Sequence, residues 1–176
     1  PDGPADTPTP TLPTPINGAD DGVTINGLDA EGGELVVNEA NLADGSSPDA
    51  AALTQTGNFA ISTPDGLGNV TIGGTQVVTN GVFSPGTATS PLGTVNITGF
   101  TPTLGADGSA IGGSFTYEYV LGDNTLTHGA PGTDDVTDSF AVVVTDSDGS
   151  AGNASLDVRI IDDVPTARDD VDSVTE

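Results

Sequence analysis

Asp146-Ser147-Asp148-Gly149 is the stretch whose residue types and spacing carry the clearest chemistry. Carboxylates at i and i+2, followed by glycine, let a tight loop wrap a hard cation at bond lengths of about 2.4 Å. It is not an EF-hand, because the sixth position counted from Asp146 is Ala151, where that loop requires glycine. The same four residues also spell an ordinary Asp-Gly hairpin turn, and the density of acid around them favours calcium over that plainer reading. Asp162-Asp163, just ahead of Pro165, is a second candidate. It could share an ion with a neighbouring module, using Glu39 and Glu176 at matching strand ends, or be a solvated acidic linker. A third cluster comprises Asp134, Asp135 and Asp138, preceded by Asp123. Asp65, Asp20, Asp21 and Asp29 are weaker candidates of the same kind.

Other chemistries lack their parts. His128 is the single histidine, sits among Gly and Pro, and has no cysteine beside it, so a zinc site is not expected. Ser139, Ser147 and Ser150 have no basic partner to activate them. Paired carboxylates imitate a glycosidase, but two Tyr, five Phe and no Trp leave little to line a sugar cleft. No phosphate loop or dinucleotide fingerprint is present. The chain is therefore not expected to be an enzyme.

The charge balance narrows the partners. Twenty-six acids face two arginines and no lysine, a formal net charge of -24, so nucleic acid and anionic membrane surfaces would repel the chain. Self-repulsion also opposes compaction, which makes counter-ions part of the native state. Five of the acids are Glu and the rest Asp, whose short side chain suits turns that gather oxygens around a hard cation. Without cysteine there are no disulfides, and metal ions are the remaining staple for a secreted chain. No apolar run is long enough to span a membrane. The N-terminus lacks the pattern of a secretory signal, and an internal piece of a longer protein is the expectation.

Those acids must be positioned by short strands, because 25 glycines, 13 prolines and no amphipathic helical period favour turns over helices. Residues 140–145 and 154–161 form a hairpin with Phe140, Val142 and Val144 on one face of the first strand. Leu156, Val158 and Ile160 share a face of the second. The longest alternating strand is 112–121, with Phe115, Tyr117, Tyr119 and Leu121 facing one way. Further strands are expected at 22–28, 34–39, 58–62, 69–72, 75–83 and 93–100, with a breaker at 84–91 and a helical turn near 49–53. Nine or ten such strands predict an all-β, immunoglobulin-like antiparallel sandwich (cadherin-like in type), with a barrel as the alternative. Residues 1–21 read as a Pro/Thr/Asp-rich linker, 22–163 as the sandwich, and 164–176 as a linker opening into the next module.

The run from Phe140 through VVVTDSDG to LDVRIIDDVPTA resembles the C-terminal half of the tandem extender repeats of bacterial RTX adhesins, which leave the cell by type I secretion. VNEANL and PDGLGNVTIGG are similar to the same repeats, and the likeness covers most of residues 23–167. It implies immunoglobulin-like modules joined end to end, rigidified by calcium at their junctions, outside the cell. They would hold a distal ligand-binding region away from the outer membrane. Asp146, Asp148, Asp162, Asp163 and Glu39 match its acidic motifs. The family's Gly-Gly-x-Gly-x-Asp array and C-terminal secretion signal are missing. The partners implied are calcium ions and neighbouring copies of the module, with the isolated module a monomer. The rivals are a domain that binds glycan, peptide or ice, an enzyme acting on polysaccharide, and a halophile's acidic domain held by bulk salt.

Overall fold

Strict alternation along residues 135–146 decides how the molecule is built. In the computed structural model, which describes residues 21–29, 32–122 and 135–163, this stretch is one strand, β10 (Asp135–Asp146). It pairs antiparallel with β11 (Ala151–Ile161), Thr145 lying opposite Ala151 and Asp135 opposite Ile161. Phe140, Val142 and Val144 are buried with Leu156, Val158 and Ile160. Both strands run further than their apolar residues, since the ladder bonds continue through polar positions.

Flanking strands complete two sheets. β1 (Thr24–Asn26), β3 (Thr54–Ser62), β7 (Gly86–Thr89), β8 (Gly93–Leu104) and β9 (Ala110–Leu121) form one, in the order β1-β3-β9-β8-β7. β2 (Leu35–Asn38), β4 (Leu67–Ile72), β5 (Thr75–Thr79) and β6 (Val82–Phe83) join the hairpin in the other, in the order β2-β11-β10-β4-β5-β6. All the pairings are antiparallel except that of β2 with β11. The sheets pack face to face as an all-β, immunoglobulin-like sandwich.

Three local readings change. Residues 75–83 are two strands, because Asn80 (φ 49) and Gly81 (φ 75) turn the chain as a two-residue Asn-Gly hairpin. The breaker at 84–91 contains β7, a short edge strand on β8. Near 49–53 there is only a hydrogen-bonded turn, Ala52 N–H to the Asp49 carbonyl at 3.1 Å. The one helical turn among the described residues is 3-10, at Glu39–Asn41, capped by the Asn38 side chain.

A thin core is concentrated around one ring. Phe115, fully buried, stacks on Phe59 at 4.9 Å, meets Phe100 at 4.5 Å, and takes the edge of Phe83 from the opposite sheet at 6.1 Å. Four of the five phenylalanines thus hold the two sheets together.

A polar staple does the same elsewhere. Asp138 is buried on the inward face of β10, and its Oδ2 accepts from Tyr119 Oη at 2.9 Å and Ser90 Oγ at 2.7 Å. Burial pushes the Tyr119 phenol up, and the bond to Asp138 pushes it further, so it stays a donor. Tyr119→Phe leaves that carboxylate one donor short inside the sandwich. A loss of about 1–3 kcal/mol is expected, measured by urea unfolding with an unchanged m-value.

Candidate metal centre

Alternation also carries β10 to its acidic end. The inward row reads Asp138, Phe140, Val142, Val144, Asp146, and the last is only 4% exposed. A bulge shapes the approach. Thr145 lies opposite Asn69 and Asp146 opposite Leu67, so Gly68 is passed over. A Cβ on Gly68 would lie 2.3 Å from the Asp146 carbonyl oxygen, which reserves the position for glycine.

The β3–β4 turn, Thr63-Pro64-Asp65-Gly66, meets this end of the hairpin. It closes through Gly66 N–H to the Thr63 carbonyl at 2.9 Å, with Gly66 at φ +105. Ser147 then binds it twice, N–H to the Gly66 carbonyl at 2.9 Å and Oγ–H to the Asp65 carbonyl. As a result, Asp65, Asp146 and Asp148 offer carboxylate oxygens within 4.8 Å of one another. Two oxygens on opposite sides of one ion, each bonded at about 2.4 Å, would be about 4.8 Å apart.

Asp146 divides its work between its two oxygens. Oδ1 accepts N–H bonds from Gly149 at 2.9 Å and Ser150 at 2.7 Å, capping the β10–β11 turn. Oδ2 is buried without a hydrogen-bond partner, as is Thr63 Oγ1 on the turn that carries Asp65. Desolvation pushes the Asp146 carboxyl up. Hydrogen bonding with Asp148 and from the N–H groups of Gly149, Ser150 and Asp148 outweighs it, holding the carboxyl below its ordinary value. Asp65 Oδ2 in turn accepts Asp21 N–H at 2.7 Å, so the incoming chain is fastened to the same cluster. With three carboxylates and no imidazole or thiolate, the donor set suits a hard cation such as calcium and not zinc.

A folded-state pKa below the unfolded one gives stability that is complete above the unfolded value, about 3.9 for Asp, and lost as pH falls through the folded value. Asp107 behaves alike, held low by its bonds from the Ser109 hydroxyl and N–H. In chelator, circular dichroism should therefore find the contribution of these two groups intact down to about pH 4 and withdrawn below it.

The remaining expected ligands lie away from this trio, and three of them gather at the other end of β11. Parallel pairing sets Asn38 opposite Ile161, which brings buried Glu39 beside Asp162 and Asp163 at the far end. These three line a pocket of about 200 Å³ with Asp44, Gly45 and Leu42, and Asp163 accepts Ser46 N–H at 2.7 Å and Ser46 Oγ at 2.5 Å. Asp135 pairs with Arg159 at an exposed site worth little, and Asp138 is the inner staple. Asp123, Asp134, His128, Asp20 and Glu176 lie outside the described residues. Asp65, a weak expectation, belongs to the trio. Its signal was the turn Thr63-Pro64-Asp65-Gly66, but nothing local points that turn at Asp146.

Two sheets in this order define the class, an immunoglobulin-like β-sandwich with an acidic cluster at the end where the chain enters. The chain matches no protein-family model, no curated protein and no solved structure. Among the described residues, no helix is long and apolar enough to cross a membrane.

Proposed function

We propose that this chain is a calcium-stabilised extender module of a large bacterial surface adhesin, holding a distal binding region away from the cell. The observation that carries the reading is Asp146 Oδ2, a buried and partnerless carboxylate oxygen beside Asp65 and Asp148. An ion there would join the β3–β4 turn, the β10–β11 turn and, through Asp21, the incoming chain. It would also offset repulsion in a chain of net charge -24.

The course of the chain fits a spacer. It enters beside Asp65, and β11 carries it from Ala151 to Ile161, about 30 Å away at ~3.3 Å per residue. Modules in series would thus meet end to end, with Glu39, Asp162 and Asp163 at the leaving end. Extracellular calcium sites of this kind work at dissociation constants of about 10⁻⁴–10⁻³ M, so the module would fold after export, where calcium is plentiful.

Calorimetric titration with CaCl2, repeated in NaCl of equal ionic strength, tests the reading. Saturable binding that survives NaCl and disappears in Asp148→Asn is expected. Stabilisation by NaCl as strong as by CaCl2 would instead make this an acidic domain held by bulk salt.

A further inference from the structure

Beside the three acids stands a neutral residue, Thr63, whose hydroxyl the fold leaves bare. Alternation along β3 turns Phe59 and Ile61 inward, and the next member of that row is Thr63, fully buried just past the end of the strand. Both of its backbone groups are bonded, the N–H to the Ile111 carbonyl and the carbonyl to Gly66 N–H, each at 2.9 Å. Only Oγ1 has no hydrogen-bond partner. Among the described residues, one other buried side-chain oxygen shares that condition, and it is Asp146 Oδ2.

The two oxygens belong to the same end of the sandwich. Asp146 closes the inward row of β10, and Thr63 closes the inward row of β3 in the facing sheet. Ser147, next in the chain to Asp146, ties those ends together by donating to the Asp65 and Gly66 carbonyls of the turn that Thr63 opens. A hydroxyl and a carboxylate in direct contact would bond to one another, and here neither does. Leaving either one bare inside a fold is unfavourable. A cation relieves both at once, because it takes a lone pair from each. Calcium gathers about six to eight oxygens, and neutral ones complete the shell that carboxylates begin.

We infer that Thr63 Oγ1 is a ligand of the ion held by Asp65, Asp146 and Asp148, so that the ion cross-links the two sheets as well as the two turns. This rests on the calcium reading above, and the experiment separates the two. CaCl2 is titrated calorimetrically into the wild-type chain, Thr63→Val and Thr63→Ser, and each is melted in EGTA. Valine keeps the shape and removes the hydroxyl. Its calcium affinity should fall about tenfold, while its midpoint in EGTA should equal or exceed that of wild type, since a bare polar group has left a buried site. Serine keeps the hydroxyl and should bind calcium within about threefold of wild type. Unchanged affinity in Thr63→Val overturns the inference and leaves the extender reading standing. A midpoint in EGTA that valine lowers overturns it too, because the hydroxyl would then be satisfied without the ion, as by a buried water. Serine weakened as much as valine would assign the effect to the lost methyl and overturn it equally. Failure of the wild-type chain to bind calcium removes both readings.

Discussion

Truncating Phe115 to alanine should lower the unfolding free energy by about 3–5 kcal/mol, the usual range when a large aromatic is removed from a packed core. For a domain of this size that corresponds to roughly 6–20 °C in Tm. The loss belongs at the upper end here, because the Phe59, Phe83 and Phe100 rings all lean on Phe115 and come from both sheets. Little else of that bulk is present to fill the space, since only 4% of the chain is aromatic. Phe115→Leu, which keeps most of the volume, should recover much of the loss. Thermal unfolding in saturating CaCl2 measures both. A Phe115→Ala change within about 1 kcal/mol of wild type would mean the rings are not the structural centre of the sandwich.

Calcium should raise the thermal midpoint by about 5–10 °C. A site held at 100 times its dissociation constant adds about 2.7 kcal/mol, and each kcal/mol moves Tm by roughly 2–4 °C at this size. Asp146→Asn should abolish that response. The amide oxygen can still accept from Gly149 and Ser150, so the turn remains capped. What disappears is the charged oxygen that a cation would meet. Without calcium the variant should therefore stay within about 1 kcal/mol of the parent chain, and the two should separate only as calcium is added. Equal midpoints for the wild-type chain in EGTA and in CaCl2 would remove the proposed mechanism. The two experiments are linked. Phe115→Ala in EGTA loses both contributions, which together approach the whole stability of a marginal domain, about 5–15 kcal/mol.

The sequence by itself determined the strand faces and the places where acid accumulates. Phe140, Val142, Val144 and Phe115, Tyr117, Tyr119, Leu121 all face inward as their spacing required, because a strand has a fixed period of two. That same period, carried past the apolar residues, already puts Asp138 and Asp146 on the core face of β10, one at each end. Asp-Gly and Pro residues marked several of the turns, but the Asn80-Gly81 turn lies inside the apolar run 75–83, which reads as one strand.

Only the tertiary structure decided what each acid faces. Asp65 joins Asp146 and Asp148 because β4 pairs with β10 and Ser147 grips a turn 82 residues away. Asp138 became a staple because Tyr119, on the opposite sheet, points a hydroxyl at it. Asp135 found Arg159 across the hairpin. Local residue types set which groups carry charge and which way they point. Whether a carboxylate meets a hydroxyl, a guanidinium or other carboxylates depends on strand order and register, and these are fixed by non-local pairing that no short window contains.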